Sequence, residues 1–188
     1  MTTTSSDPNT TTGLPAGTWT VDAAHSEVGF VARHLMSKVR GRFQTFEGTL
    51  VTGETPGATA SIDLTSIDTN EPNRDAHLRS GDFFDVENSG PMTFVSTAVT
   101  EGGNGLLVTG DLSLKGATRP VTLDVEYFGT ETDPWGGTRI GFEGTTSISR
   151  KDWGVDFNVP MDGGRLLVGD KIDITVSVEA VLDQAPTA

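Results

Sequence analysis

Three histidines are the residues best able to carry chemistry in this 188-residue chain, which contains no cysteine. His25, His34 and His77, with Asp75 close to the last, are residue types that hold zinc, and three imidazoles suffice for a catalytic site. Their spacing argues against it. No pair has the HExxH form, and His25 and His34 lie nine residues apart, on opposite faces of any continuous strand. No metal is expected. Arg74 and His77, three apart on a helix, would share a face and could grip an anionic head group. The alternative, which we favour, is that Arg74 and Asp75 pair locally and cap their segment. Ser26 beside His25 has no GxSxG elbow around it, and the glycines at 102–105, 136–137 and 163–164 fit no phosphate-binding pattern. The expectation is therefore no catalytic residue, no cofactor and no enzyme. An enzyme using His34, His77 and Arg74 on a lipid head group is the competing reading.

Charge narrows the partners. The chain carries 13 basic against 26 acidic residues, a net charge of −13. Such a surface repels nucleic acid and anionic membrane surfaces. No apolar run approaches the ~20 residues of a spanning helix, so no stable membrane insertion is expected. Met1 to Ala16 has neither a basic start nor an apolar core, and the protein is expected to be cytoplasmic. Residues 1–16 and 184–188 read as disordered tails around one domain, residues 17–183.

The elements that must position any site are strands. Period-2 alternation is clearest in Ile172, Ile174, Val176, Val178, Ala180 and Leu182, and recurs in Val121, Leu123 and Val125 and in Val28, Phe30, Ala32 and His34. Gly/Asn/Asp turns punctuate these runs. The pattern predicts about eight antiparallel strands, over 18–22, 26–36, 42–52, 57–67, 92–101, 105–115, 119–131, 138–150 and 170–182, with the first two read as one bent strand. One helix is predicted, capped by Asn70, tolerating Pro72 in its first turn, running through residues 73–80 and ended by Gly81.

Strands with one apolar face each must stack as two sheets or close on themselves, and closure removes the exposed edges. The expected fold is all-β, an extended eight-stranded antiparallel lipocalin-like barrel with a helical insertion. Small residues on the inner faces (Ala32, Gly48, Ala60, Gly110, Gly144), with only nine Phe and three Trp to fill a wide barrel, favour a cavity over a filled interior. Candidate ligand-binding walls are Val28, Phe30, Ala32, His34, Phe43, Phe46, Ile62, Leu64, Phe83, Phe84, Phe94, Leu112, Phe142 and Trp153. One of Phe83 and Phe84 would plug the helical lid, and Trp153 would pack over a rim with Arg150 and Asp152 paired.

The ordered motifs Trp19-Thr-Val-Asp22, His25-Ser-Glu-Val-Gly-Phe30, Gly41-Arg-Phe43, Asn73-Arg-Asp-Ala-His77 through Asp85, Pro91-Met-Thr-Phe94, Gly110 through Val121 and Ser149-Arg-Lys-Asp-Trp-Gly154 resemble the YceI-like, polyisoprenoid-binding family over residues 18–182. The resemblance implies a ligand class: a long-chain isoprenoid or fatty amphiphile inside the tube, with its head met at the mouth. His34, Arg74 and His77 are the head-group candidates. It also makes a homodimer an expectation. Many relatives carry a secretory signal, which is not visible here.

Overall fold

The computed structural model describes residues 13–184; the tail expectations for residues 1–12 and 185–188 lie outside them. Eleven strands run in the order β1 (Gly17–Val21), β2 (Glu27–His34), β3 (Ser37–Phe43), β4 (Phe46–Thr52), β5 (Gly57–Ile62), β6 (Ile67–Asp68), β7 (Met92–Gly102), β8 (Gly105–Leu114), β9 (Ala117–Thr132), β10 (Thr138–Ser149) and β11 (Val168–Leu182). Two short helices, α1 (Pro72–Arg79) and α2 (Val86–Ser89), separate β6 from β7.

Six of these strands are halves of three interrupted ones. A 3-10 turn at Ala23–His25 divides β1 from β2, and both halves pair with the same edge of β11. The two residues Gln44 and Thr45 divide β3 from β4, and a 3-10 turn at Leu64–Ser66 divides β5 from β6. With each pair counted as one strand, eight antiparallel strands form the barrel. Pairing of Trp19 with both Leu182 and Leu50 closes the ring. The first break satisfies its own polar groups: Asp22 accepts from the Ala24 amide, the Asp22 amide donates to the Glu179 carbonyl at 2.9 Å, and the Glu179 amide donates to Ser26 Oγ at 3.0 Å. A ladder interrupted this way loses little enthalpy while the strand bends.

Three elements differ from the sequence reading. β3 starts at Ser37, five residues before the expected 42, because Ser37, Lys38, Arg40 and Gly41 leave only Val39 and Phe43 to signal a strand. Over residues 37–41 this strand pairs with β2 alone, and Lys38 and Arg40 guard its free edge. The cap of α1 is Glu71 in place of Asn70: its carboxylate accepts from the Asn73 and Arg74 amides at 3.2 and 2.6 Å, and Asn70 sits at φ 63° before it. Helix α2, four residues long, has too little sequence to show a period.

Two apolar clusters pack towards the ends of the tube. At the helical end, Phe43, Leu64, Ile67, Phe83, Leu114, Trp153 and Val155 are buried together, with Phe30 and Phe84 packed against them. At the other end, Trp19, Ile140 and Ala180 meet Leu50 and Leu182. The Trp19 indole donates to Thr52 Oγ1 at 2.9 Å, and that hydroxyl donates to the Pro15 carbonyl at 2.6 Å, so the chain just before β1 is fastened to the barrel.

Candidate ligand cavity

Between the two clusters the barrel encloses a cavity of about 230 Å³. Alternation builds its wall. Phe46, Gly48 and Leu50 come from β4, Ala58, Ala60 and Ile62 from β5, Leu106, Val108 and Leu112 from β8, and Val121, Leu123 and Val125 from β9. Phe142, Gly144 and Thr146 of β10 and Ile174, Val176 and Val178 of β11 complete the circuit. The interior is therefore not packed solid by its own side chains, although a Cβ at Gly48 or Gly144 would already meet Val21 at 3.0 Å or Leu123 at 3.2 Å. Gly110 does not contribute, because the Phe94 ring lies over it and a Cβ there would fall 2.4 Å from that ring. Among the described residues Glu47 is the one ionisable member of the lining, and Leu14, Pro56 and Gly57 reach the cavity at the end of the β4–β5 turn.

Of the expected wall residues, Val28, Phe46, Ile62, Phe94, Leu112 and Phe142 line the cavity. Phe43, Leu64, Phe83 and Trp153 instead form the packed floor beneath it. Phe30 covers Gly41 and stands 5.7 Å from Phe43, whose other neighbour is Phe84 at 6.0 Å. Both phenylalanines after α1 therefore pack inward, Phe83 being 8% exposed, because a turn rather than an extended strand carries them. Ala32 and His34 lie further along β2, opposite Val39 and Ser37, beyond the floor. The wall residues that the reading missed, among them Leu106, Val108, Leu123, Val125, Val176 and Val178, belong to the same alternating runs, so parity alone would have found them.

The polar candidates stand apart from the cavity and from one another. Arg74 and Asp75 do not pair; both seize Thr69. The Asp75 carboxylate accepts from the Thr69 amide and hydroxyl at 2.9 and 2.5 Å, and Arg74 donates to that hydroxyl and to the Thr69 carbonyl at 2.7 Å each. This staple anchors α1 to the chain before it. His77 Nε2 meets Asp82 at 2.8 Å, and its ring packs edge-on to Phe83 and Phe157, 5.0 Å from each. The His34 carbonyl accepts from the Ser37 hydroxyl in the β2–β3 turn. The Arg150–Asp152 pair is likewise absent. Arg150, 5% exposed, donates to the carbonyls of Val155, Phe157 and Gly169, and burial lowers its pKa against the opposing pull of Asp170 and Asp156. Trp153 donates to the Leu112 carbonyl at 2.9 Å from inside the floor.

His25 belongs to a charged cluster. It meets Asp22 at 2.8 Å, and Asp22, His25 and Glu179 place ligand atoms within 4.8 Å of one another. A cation already serves them: Arg139 donates to Asp22 at 2.8 Å, to Glu179 at 2.6 Å and to Asp133 at 2.8 Å. Arg139, then His25, hold the Asp22 carboxyl down at about 2, and the three carboxylates raise the pKa of Arg139. The cluster ties the β1–β2 break to β10, β11 and the β9–β10 turn. Among the described residues the geometry thus offers an apolar chamber with a structural ion cluster outside it, and no paired nucleophile and base on its wall.

Comparisons with known proteins agree with that geometry. The YceI-like domain profile matches residues 19–180. Protein YceI of Escherichia coli is 41% identical over 165 residues, covering 85% of this chain and 83% of that protein. The crystal structure of BcnA from Burkholderia cenocepacia superposes with a TM-score of 0.72 at 26% identity, over 85% of this chain and 98% of that one. A polyisoprenoid-binding domain from Saccharophagus degradans, implicated in plant cell wall breakdown, superposes with a TM-score of 0.65 at 16% identity, over 90% of this chain and all of that one.

Proposed function

The chain belongs to the YceI-like family, and from that footing we propose that its barrel carries an isoprenoid-type lipid without making or breaking a bond in it. One observation carries the reading: the interior is a 230 Å³ chamber walled almost wholly by aliphatic and aromatic side chains. Water gains few hydrogen bonds there, while each buried methylene of a guest contributes about 0.8 kcal/mol. The polyisoprenoid-binding domain of the same fold supports the ligand class.

The volume sets a scale for the guest. A cavity of about 150 Å³ holds benzene, which is roughly 25 Å³ per carbon and gives about nine carbons for this chamber. A longer isoprenoid therefore has its inner end enclosed and the rest leaving past Leu14 and Pro56, so its head lies at that end and not at His34, Arg74 or His77.

Native mass spectrometry of the purified protein titrated with geraniol, farnesol and geranylgeraniol tests this. Complexes with all three are expected, with affinity levelling off once the ten-carbon alcohol has filled the chamber. Absence of any one-to-one complex, or identical weak uptake of a short polar alcohol, would refute the carrier reading.

A further inference from the structure

The β2–β3 turn presents an arrangement that folding does not require. Leu35 and Met36 form its tip, Met36 being 96% exposed and Leu35 48% exposed, and Leu35 holds φ 53°. A branched side chain in the left-handed region is strained where glycine would rest easily. The neighbouring loop extends the apolar tip. The Leu35 amide donates to the Leu167 carbonyl at 3.0 Å, the Leu167 amide donates to the Val159 carbonyl at 3.1 Å, and Val159 and Leu166 are both exposed.

Charge along the β2–β3 arm runs against the rest of the molecule, while the adjoining loop carries exposed Asp156 and Asp162 beside Arg165. From Val28 to Phe46 there is no acidic residue, while Arg33, Lys38, Arg40 and Arg42 lie within that stretch. The other nine of the chain's 13 basic residues share the remainder with all 26 acidic ones. Arg33, Lys38 and Arg40, with Arg165 on the adjoining loop, are exposed and make no salt bridge among the described residues; Arg42 meets Asp68. The carboxylates nearby on β11 are engaged elsewhere, Asp170 by Ser149 and Asp173 by Ser147 and Lys171, with Lys38 a weaker influence on Asp173.

We propose that this arm docks the protein peripherally on an anionic lipid bilayer, with Leu35 and Met36 entering the acyl boundary and Arg33, Lys38, Arg40 and Arg165 at the level of the head groups. A turn with apolar residues at its point and cations two to four residues behind it matches the depth profile of a membrane interface. It offers a protein partner no broad flat face. The net negative charge does not forbid the contact, because at physiological salt a charge more than about 8 Å from the membrane is largely screened while the arm touches it. The proposal does not depend on what the cavity holds: the arm pairs with β11 at Val168, at the far end of that strand from the Leu182 seam beside the β4–β5 turn.

Cosedimentation of the full chain with vesicles of phosphatidylcholine alone, and of phosphatidylcholine doped with phosphatidylglycerol, tests the proposal. Binding is expected to the doped vesicles only, and to vanish at high salt. Met36→Ser, at a fully exposed position, is expected to weaken the partition about tenfold, and Arg40→Gln about fivefold. Lack of binding to the doped vesicles, or wild-type binding by both variants, would overturn it. A dimer in light scattering that Met36→Ser converts to monomer would also overturn it, since the tip would then be the seat of a second copy.

Discussion

Ala60 lines the cavity between Gly48 on β4 and Phe94 on β7; Val21 stands against Gly48, so a large side chain at this position must enter the chamber itself. Ala60→Phe adds a benzene-sized ring. On the scale of about 150 Å³ per such ring, the 230 Å³ chamber shrinks to roughly 80 Å³, room for about three carbons. Some six carbons of a bound isoprenoid are displaced, at about 0.8 kcal/mol each, a loss of about 5 kcal/mol, or roughly three thousandfold in Kd. Calorimetric titration of farnesol into wild type and variant reads that loss directly. Thermal unfolding provides the control, because the ring fills a void and Tm is expected to stay within a few degrees. A folded Ala60→Phe protein that binds farnesol within threefold of wild type would show that the chamber is not where the lipid resides.

Three further outcomes follow from contacts described above. Arg150→Met leaves the Val155, Phe157 and Gly169 carbonyls without their donor inside the floor, and urea unfolding is expected to show a loss of about 3 kcal/mol; a loss under 1 kcal/mol would contradict the role assigned to that guanidinium. Asp22, held at about 2 against an ordinary 3.8, stabilises the fold fully above pH 4 and loses that contribution as pH falls toward 2. The effect is on the order of 1–2 kcal/mol after allowance for screening. Urea midpoints at the two ends of that window should therefore lie closer together in Arg139→Met than in wild type, and an equal separation in the two proteins would refute the assignment. Leu35→Gly relieves the left-handed turn and is expected to raise stability by about 0.5–1 kcal/mol; a fall in Tm would mean that Leu35 packs as well as strains.

Most of the barrel was legible because its walls obey one rule. Inward residues of β8 to β11 recur at every second position over much of each strand, and that face is largely apolar, so both the strands and their inner sides can be read from the chain. The floor was not, because it is built from residues outside that period. Phe83, Trp153 and Val155 come from turns, and their burial depends on the tertiary placement of α1 and of the chain after β10. Arg74, Asp75 and Arg150 misled for a related reason: sequence neighbours of opposite charge suggest a pair, whereas the fold offered Thr69 and three backbone carbonyls at shorter reach. Ser37 to Gly41 gave no strand signal because that arm has almost no apolar face to show.

The seam of the ring joins Trp19 to Leu182 and Val21 to Ala180, residues near opposite ends of the domain. During synthesis, then, Trp19 can meet Leu50 and Thr52 early but its partners Ile140, Ala180 and Leu182 only when nearly the whole chain has emerged, while the hairpins from β7 to β10 zip locally as they appear. Completion of the tube is the final, non-local event, so a chaperone that shields the first twenty residues until the last strand arrives would act at the slowest step of the fold.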